Sequence, residues 1–556
     1  MNSWSKSVLS RLSGTPLAQM GICSPFTIPS GIITTAASSI ARIARDVSEV
    51  GFITTKTLSV EPREGYREPI IHEYYPGCFA NAVGLTNPGA EKFRDAMIPL
   101  LPLHQNKPLL VSIMGRDPEE FLECALILEP IADAFELNLS CPHVKGAGQS
   151  VGSDPGMVRS TVELLKERVD RPIIPKLSPN LADLPGMAAL CQDAGADGLS
   201  LINTVGPGMV MDSEANPILS NVLGGLSGAG VLPIGLKAVK EAAEVTTIPI
   251  IAAGGMGSVV DVKAYMEAGA SLFAIGSALA GMNTPQIAAF FADLGKGLEQ
   301  GSGDSRAARS RASGNLTAYL ETRVMENTRI AEGIFKLTLE SGPSTEPGCF
   351  FFLRLPGVGE KPFSPARDRE PVYFIRSVGP FTKALDALNP GDTIFMRGPY
   401  GQGFPEPEMK RPLVLLGGGT GVAPIMMAAV RWNDRVAAGF VGFSAEVSRS
   451  FEAELVASIR SCRIVIDPPG SPGAVIRSMA EHMEQDPGLY EQCQVFICGP
   501  KALMESATDL LSKAVPRDRI FLAGEEIMRC GIGICGSCAT EDGLRSCVDG
   551  PVLTAG

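Results

Sequence analysis

The sequence has few aromatic residues, few histidines and no long apolar run. Aromatic residues make up 6% of the 556 residues, with 2 tryptophans and 4 histidines in all. No uninterrupted apolar stretch reaches the roughly 18 residues that suggest a membrane-spanning helix. The first residues, MNSWSKSVLSRLSG, lack the apolar core and cleavage site of a signal peptide. We therefore expect a cytoplasmic protein that does not bind membranes.

The sequence also lacks an excess of positive charge. Its 48 lysine and arginine residues are outnumbered by 60 acidic residues, which gives a net charge of −12. This balance argues against nucleic acid or an anionic membrane as a partner. A hydrophobic content of 45% indicates a globular chain. At roughly 100–200 residues per domain, the length predicts about three to five domains.

A disulfide framework is not expected, although the chain has 13 cysteines. Nine are scattered singly and four fall between positions 530 and 547. Such frameworks belong to short secreted chains with many regularly spaced cysteines. The terminal group therefore predicts a metal or cluster site, and Cys141 stands out among the others by its sequence context.

Residues 1–294 alternate between short apolar runs and helix-like segments. The runs are 26–32, 51–57, 108–114, 134–140, 172–178, 198–204, 249–255 and 272–277. Eight strands with helices between them over about 250 residues predict a (β/α)8 TIM barrel. A doubly wound open sheet is the alternative.

Polar or glycine residues end almost every one of these runs. They are Ser30–Gly31, Lys56–Thr57, Ser112, Asn138–Ser140, Lys176, Asn203–Thr204, Gly254–Gly255 and Gly276–Ser277. The carboxyl ends of barrel strands meet at one mouth, where such barrels build their sites. Burying so many polar groups together without a ligand would be costly. We therefore expect the functional site at this mouth.

The remainder of the chain changes character three times. Residues 295–314 are small, polar and charged, which is linker composition. Residues 315–408 read as a small antiparallel β-barrel, and residues 409–520 return to α/β alternation. Residues 521–556 are glycine-rich with few apolar residues, so they need a staple to hold a fold.

The terminal cysteines provide that staple. Their spacing is Cys530-x4-Cys535-x2-Cys538-x8-Cys547. Thiolates suit zinc or iron–sulfur, but structural zinc usually uses two short Cys pairs. The x4–x2 spacing matches the plant-type 2Fe–2S loop. We therefore predict these four cysteines as iron–sulfur ligands, with zinc as the alternative.

A glycine-rich turn in the segment LVLLGGGTGVAPI (413–425) is typical of nucleotide binding. Its glycines let a pyrophosphate approach the start of a helix, whereas a tight strand–helix turn is the simpler explanation. Cys498-Gly499-Pro500 follows at another strand end. This pairing is the pattern of ferredoxin-reductase-type nicotinamide domains.

Residues 315–556 therefore resemble the electron-transfer subunit of the NAD-linked dihydroorotate dehydrogenases, which carries FAD and a 2Fe–2S cluster. The resemblance places FAD at KPFSPA (361–366) and FIRSVGPFTKAL (374–385). Lys361 and Phe381 depart from the arginine and glycine usual there. The residues implied in FAD and NAD binding are Lys361, Pro362, Phe363, Ser364, Phe374, Ile375, Arg376, Phe381, Thr382, Gly417, Gly418, Gly419, Gly499 and Pro500.

Residues 20–294 resemble the FMN-containing catalytic subunit of class 1 dihydroorotate dehydrogenases. The matching segments include NAVGLTNPG (81–89), ELNLSCPH (136–143), INTVGPG (202–208) and ILSNVLGGLSG (218–228). The resemblance implies one chain that fuses two usually separate subunits. Dihydroorotate would be oxidised to orotate in pyrimidine biosynthesis, and electrons would pass from FMN through the 2Fe–2S cluster and FAD to NAD⁺. Class 1 barrels generally pair, so we expect a homodimer through the barrel.

The resemblance implies five domains. They are the FMN-binding barrel (1–294), a linker (295–314), an FAD-binding β-barrel (315–408), an NAD-binding α/β domain (409–520) and a 2Fe–2S domain (521–556).

The resemblance also assigns ligand contacts within the barrel. The implied FMN contacts are Ser30, Lys56, Thr57, Ser112, Asn138, Lys176, Ile202, Gly228, Gly254, Gly255, Gly276 and Ser277. The implied substrate contacts are Lys56, Asn81, Ala82, Val83, Gly84, Leu85, Asn138, Asn203 and Thr204. Lys56 would lie near the substrate carboxylate and take part in catalysis, and Lys176 would stabilise the reduced flavin. An asparagine suits a ring of amides, because it both donates and accepts.

Cys141 is the implied catalytic base, because a thiol can take a proton at neutral pH when its pKa falls somewhat. Alone, a free cysteine is more often a small buried hydrophobe. His143 replaces an asparagine found in many relatives, and the segment SCPH also resembles dihydropyrimidine dehydrogenases. An NAD(P)-linked dihydropyrimidine dehydrogenase is therefore one alternative. A non-catalytic electron-transfer module is another.

Overall fold

A computed structural model of the chain describes residues 3–104, 107–139, 151–301, 314–409, 411–468, 472–524 and 526–556. The chain folds as two compact units. The first contains Met1–Leu316 and Ile532–Arg545, and the second contains Thr317–Gly531 and Ser546–Gly556. Within the described ranges, no helix combines the length and the apolar character that crossing a membrane requires.

The first unit contains a nearly closed parallel barrel. Its strands are β1 (Phe26–Thr27), β2 (Ile53–Thr54), β3 (Ile71–Tyr75), β4 (Cys78–Asn81), β5 (Leu109–Ile113), β6 (Ala134–Asn138), β7 (Ile173–Leu177), β8 (Leu199–Leu201), β9 (Val205–Met209), β10 (Leu223–Gly228), β11 (Ile250–Ala253) and β12 (Leu272–Ala274). Eight of them form one sheet in the order β1-β12-β11-β8-β7-β6-β5-β2. A parallel bridge between Phe26 and Val50 brings its two edges toward closure. The predicted barrel is confirmed at this level, and the doubly wound alternative is wrong.

The barrel strands are short and buried along almost their whole length, as expected for parallel strands covered on both faces. The helices of this unit are α1 (Ser3–Leu9), α2 (Ala37–Asp46), α3 (Ala90–Met97), α4 (Pro118–Leu128), α5 (Pro155–Arg168), α6 (Leu184–Asp193), α7 (Leu232–Val245), α8 (Val259–Glu267) and α9 (Thr284–Gln300). Several begin where a side chain accepts a hydrogen bond from a first-turn amide. These capping residues are Asp117, Asp154, Asp183, Ser258 and Asn283.

A second sheet of the first unit was not expected from the sequence. It has the order β3-β4-β10-β9 and joins chain segments far apart in sequence. Gly225 of β10 pairs with Asn81 of β4. Strand β4 of this sheet therefore ends at Asn81, and strand β9 begins directly after Thr204.

The predicted linker at 295–314 begins too early. Helix α9 continues to Gln300 and so includes residues 295–300. Residues 302–313 lie outside those described.

The second unit consists of two further sheets. Its strands are β13 (Leu320–Ala331), β14 (Ile334–Leu339), β15 (Phe350–Leu355), β16 (Gly359–Phe363), β17 (Val372–Arg376), β18 (Thr393–Tyr400), β19 (Leu413–Gly418), β20 (Val436–Phe443), β21 (Cys462–Ile466), β22 (Gln494–Cys498), β23 (Ile520–Ala523) and β24 (Val552–Thr554). Its helices are α10 (Pro380–Asp386), α11 (Val422–Arg431), α12 (Arg449–Ser458), α13 (Ala474–Gln485), α14 (Pro487–Gln492) and α15 (Lys501–Leu511). The first sheet is antiparallel, in the order β16-β15-β18-β13-β14-β17. The second has the order β21-β20-β19-β22-β23-β24, and all its pairs are parallel except β23–β24.

Candidate active site

Polar side chains from neighbouring strand ends form a hydrogen-bonded chain at the barrel mouth. The Thr57 hydroxyl lies 3.0 Å from the Ser30 hydroxyl and 3.0 Å from the Ser112 hydroxyl. Asn138 Nδ2 donates to Thr57 Oγ1 over 3.0 Å. The structure therefore brings together four of the predicted flavin contacts.

The predicted substrate residues continue this chain on the next strands. Asn203 Nδ2 donates to Asn138 Oδ1 over 3.2 Å, and Asn203 Oδ1 accepts from the Thr204 amide over 2.8 Å. The Thr204 side chain packs against Gly225, whose register partner is Asn81. Asn203 and Thr204 are thus fixed by neighbours that were themselves predicted to bind ligands.

The rest of the predicted substrate loop is irregular backbone after β4. Ala82 is buried, and the Val83 carbonyl accepts from the Tyr66 amide over 3.1 Å. Leu85 has a φ of 56°, in the left-handed region. The segment Asn81–Leu85 is therefore held in a defined shape.

Both predicted barrel lysines are buried at the mouth. Lys56 is 6% exposed and Lys176 is 5% exposed. A Cβ placed on Gly31 would lie 3.4 Å from Lys56 Nζ, so this ammonium lies beside the loop that follows β1. Lys176 forms an ion pair with Glu136, with 3.4 Å between Nζ and Oε1.

Glu136 is a buried acid that the sequence analysis did not single out. Its Oε1 accepts from the Ser112 hydroxyl and its Oε2 from the Ser200 hydroxyl, each over 2.9 Å. Its side chain is 3% exposed. The sequence did contain a signal for Glu136, because it is a polar residue inside an apolar strand run. It lies two positions before Asn138, so the two side chains are on the same face of the strand.

Backbone amides and glycines form a cradle on the opposite strands. Gly255 has a φ of 77°, and a Cβ there would lie 2.8 Å from the Leu232 amide nitrogen and 2.9 Å from the Gly228 carbonyl oxygen. Ile202 packs against Gly254, and Gly276 precedes a short turn that begins at Ser277. The predicted phosphate contacts Gly228, Gly254 and Gly255 are therefore neighbours.

Tyr265 of α8 supports this cradle and was also missed. It is fully buried, and its hydroxyl donates to the Gly254 carbonyl over 2.6 Å. Burial raises the pKa of this phenol, and the charge of Asp261 adds to the shift. The hydroxyl therefore acts as a hydrogen-bond donor beneath the loop.

The predicted base cannot be placed. Cys141 and His143 lie outside the described residues, as does Ser140.

Part of the cysteine-rich segment packs on the barrel within the first unit. Thr35 Oγ1 donates to the Cys535 carbonyl over 2.7 Å, and the Ile33 amide donates to the Ile534 carbonyl over 2.6 Å. A Cβ on Gly536 would lie 2.5 Å from the Ile33 carbonyl oxygen, so this position requires glycine. The loop that carries Ser30 thus continues directly into the contact with this segment.

The four predicted cluster ligands are buried. Cys530, Cys538 and Cys547 are each 1% exposed and Cys535 is 5% exposed. Within the described part of the chain, no group of three or more His, Cys, Asp or Glu side chains is arranged to hold a metal ion. The donor chemistry, four buried thiols with glycines between them, nevertheless fits an iron–sulfur cluster.

The two glycine motifs of the second unit come together at adjacent strand ends. Gly417 of β19 pairs with Cys498 of β22. A Cβ on Gly499 would lie 3.2 Å from the Gly418 Cα, and one on Gly418 would lie 3.3 Å from Pro500 Cδ. A Cβ on Gly419 would lie 3.7 Å from Arg376 Nη2.

The other residues predicted to bind FAD differ in accessibility. The side chains of Phe374, Ile375 and Phe381 are buried in hydrophobic cores. Thr382 Oγ1 accepts from the Gly379 amide over 3.0 Å at the start of α10. Lys361 and Arg376 are exposed, and Pro362, Phe363 and Ser364 are partly exposed.

A fully buried ion pair lies beneath the antiparallel sheet of the second unit. Arg397 donates to both carboxylate oxygens of Glu360, over 2.9 Å and 2.6 Å, and to the Tyr400 hydroxyl over 2.9 Å. Its Nη1 also donates to the Cys530 carbonyl over 2.9 Å. Burial acts to lower the pKa of Arg397, but the charge of Glu360, its hydrogen bonds and the nearby Tyr400 and Tyr319 together outweigh burial and hold that pKa well above its usual value. This ion pair therefore anchors the backbone of the first terminal cysteine.

The fold and site thus define an α/β barrel protein whose strand ends gather hydroxyl, amide and ammonium groups at one mouth. The family model for dihydroorotate dehydrogenase matches residues 14–296. The model for the iron–sulfur cluster binding domain of dihydroorotate dehydrogenase B matches residues 525–556. The chain belongs to the dihydroorotate dehydrogenase family and combines the catalytic domain and the iron–sulfur binding domain of the B type.

Curated relatives named dihydroorotate dehydrogenase B (NAD(+)), catalytic subunit, match the first half. The protein of Methanothermobacter thermautotrophicus is 38% identical over 287 residues, which is 51% of this chain and 91% of the relative. That of Pyrococcus horikoshii is 42% identical over 255 residues, 46% of this chain and 82% of the relative. That of Methanocaldococcus jannaschii is 41% identical over 261 residues, which is 46% of this chain and 82% of the relative.

Proposed function

We propose that this chain oxidises dihydroorotate to orotate in pyrimidine biosynthesis and passes the electrons to NAD⁺. The observation that carries the proposal is the likeness to B-type catalytic subunits, which extends over 91% of one relative. The hydrogen-bonded chain at the barrel mouth supports it, because its hydroxyls and amides suit a flavin and a pyrimidine ring.

The substrate is held by residues that donate and accept around a ring. Asn138, Asn203 and Thr204 are already joined by hydrogen bonds, which fixes the directions in which they meet a ligand. Asn81 approaches them from the second sheet. Lys56 binds the substrate carboxylate, since a buried ammonium strongly favours an anionic partner.

Lys56 takes part in catalysis through the substrate carboxylate, and two further residues act at the reacting atoms. Cys141 takes the proton from C5 of dihydroorotate on its sulfur. Lys176 stabilises the negative charge that develops at the N1–C2=O edge of the flavin. FMN, when bound, would supply the hydride acceptor for C6; a 2Fe–2S cluster would carry single electrons, and FAD would collect two of them for hydride transfer to NAD⁺. The cradle of Gly228, Gly254 and Gly255, with Gly276 and Ser277, holds the FMN phosphate through backbone amides.

The second half of the chain serves the electron acceptor. We assign FAD to the antiparallel domain (315–408), NAD⁺ to the α/β domain (409–520), and the cluster to residues 521–556 as a 2Fe–2S domain. Cys530, Cys535, Cys538 and Cys547 ligate the cluster. Arg376 lies beside the glycine turn at Gly419, where a cation suits a pyrophosphate. A homodimer through the barrel (1–294) and a location in the cytoplasm complete the proposal.

Anaerobic titration of the purified chain tests this function. Dihydroorotate is expected to bleach the flavin and iron–sulfur absorption bands, and NAD⁺ is expected to restore them. The Cys141→Ser variant should slow the bleaching by about 10²-fold, the usual contribution of a general base. Turnover of dihydrouracil in place of dihydroorotate, or protein without iron, would contradict the proposal.

A further inference from the structure

Glu136 lies at the centre of the buried polar layer below the predicted flavin position, and the proposed mechanism gives it no role. Its carboxylate receives hydrogen bonds from two hydroxyls, Ser112 of the adjacent strand β5 and Ser200 of β8, two strands away on the other side. Lys176 of β7 approaches the same carboxylate. One acid therefore joins side chains from four barrel strands.

Barrel interiors are usually filled by branched apolar side chains. A carboxylate in this position is costly to desolvate unless it is hydrogen-bonded and paired. Here both oxygens accept hydroxyl hydrogen bonds of 2.9 Å. Filling space does not account for such an arrangement.

The contact with Lys176 differs from the hydroxyl bonds. Its length of 3.4 Å is long for a directed hydrogen bond. The carboxylate therefore influences the ammonium mainly through charge, while the hydroxyls hold the carboxylate in place. A second series of hydrogen bonds runs from Ser112 through Thr57 to Ser30, so the same polar layer also reaches other predicted flavin contacts.

We propose that Glu136 is a positioning residue that acts through Lys176: its charge attracts the ammonium and holds it back from the flavin. This inference rests on the proposed function, because it takes Lys176 to face the flavin ring. Removing the carboxylate charge lets the ammonium move toward the flavin. A cation nearer the ring stabilises negative charge at the N1–C2=O edge more strongly.

Sulfite affinity measures this stabilisation directly. Sulfite donates its sulfur lone pair to N5 of oxidised flavin, and the resulting negative charge settles on the N1–C2=O edge. We expect Glu136→Gln to raise the affinity of the FMN-loaded chain for sulfite by at least about tenfold, given the strength of charge interactions in a partly dry site. Ser200→Ala is the matched control, since it removes one hydrogen bond to Glu136 without changing a charge, and should alter the affinity by less than about threefold.

The dependence on Lys176 separates an effect through its ammonium from the direct field of the carboxylate. In a Lys176→Gln background, Glu136→Gln removes only that direct field, so the rise in sulfite affinity should be clearly smaller. An equal rise in that background, or an unchanged affinity in Glu136→Gln with FMN bound stoichiometrically, would overturn the inference. If Glu136→Gln does not retain FMN, Glu136→Asp decides the matter. It keeps the charge but withdraws it from Lys176, so a smaller rise supports the inference and no rise overturns it. Wild-type protein that binds no FMN would instead defeat the proposed function itself.

Discussion

Among the described residues, each unit contains a buried glutamate–cation pair, and the two pairs are built differently. In the barrel, Glu136 and Lys176 are 3.4 Å apart, with side chains 3% and 7% exposed. In the second unit, Glu360 and Arg397 are 2.6 Å apart and fully buried. Hydroxyls hold the first pair, whereas aromatic rings surround the second, with the Arg397 guanidinium 3.9 Å above the Phe352 ring.

This difference indicates different roles. A guanidinium that makes two parallel bonds to a carboxylate and stacks on a ring has little freedom. The Lys176 ammonium is held mainly by charge, 3.4 Å from Glu136, next to residues predicted to bind the flavin. The geometry of the Arg397 pair therefore suits a structural anchor, and that of the Lys176 pair suits the role proposed for it at the flavin.

The largest effect on stability is expected from Arg397→Met. The change leaves the Glu360 carboxylate buried without its partner, which typically costs about 3–5 kcal/mol. Urea unfolding measures it. In a Trp4→Phe background, the fluorescence of Trp432 reports on the second unit alone, because the chain has 2 tryptophans.

The double variant Glu360→Leu/Arg397→Met is the control. Replacing a whole buried pair with apolar residues is often close to neutral, so the double variant should recover most of the lost stability. If the single variant unfolded like wild type, the pair would not be the structural anchor that its geometry indicates.

Lys176→Met should instead affect turnover more than stability. It leaves Glu136 with two hydroxyl donors, so the loss of stability should be smaller, about 1–3 kcal/mol. Turnover should nevertheless fall by at least about 10²-fold, because the charge at the reduced flavin is no longer stabilised. A Trp432→Phe background leaves Trp4 as the reporter of the first unit. A variant with large destabilisation and near-normal turnover would erase the distinction between the two pairs.

The sequence was informative where a residue follows an apolar run. Lys56, Asn138 and Lys176 were predicted at the barrel mouth because polar residues at parallel strand ends share one edge, and the structure brings Asn138 next to Thr57 there. Glu136 was missed because it lies inside such a run. Only its spacing of two residues from Asn138 indicates that its side chain points to the same, inward face.

Contacts between distant segments had no local signal. Asn81 meets Gly225 across the unexpected sheet of β3, β4, β9 and β10. Thr35 binds the Cys535 carbonyl at a separation of 500 residues. Tertiary packing decides such pairings, and neither periodicity nor turn chemistry along the chain encodes them.

Tyr265→Phe tests a supporting hydrogen bond at the barrel mouth that carries no ion pair. The variant loses the bond to the Gly254 carbonyl, worth about 1 kcal/mol. FMN affinity should therefore fall by about fivefold, with little change in turnover at saturating FMN. Equilibrium titration of the flavin-depleted chain with FMN measures the effect.

Tyr490→Phe is the matched control for this prediction. Its hydroxyl lies 3.0 Å from His482 Nδ1 in the second unit. The control variant should therefore leave FMN affinity unchanged. Equal losses in the two variants would show that the effect is general destabilisation.

The smallest effect is expected at an exposed pair with the same chemistry. Lys237 and Glu241 lie 2.7 Å apart on α7, closer than Glu136 and Lys176, but their side chains are 71% and 33% exposed. Water screens such a pair and leaves both side chains mobile, so Lys237→Ala should cost no more than about 0.5 kcal/mol. Urea unfolding followed through Trp4 checks this value against Lys176→Met in the same unit. A loss as large as that of Lys176→Met would mean that distance, and not burial with hydrogen bonding, ranks the ion pairs of this chain.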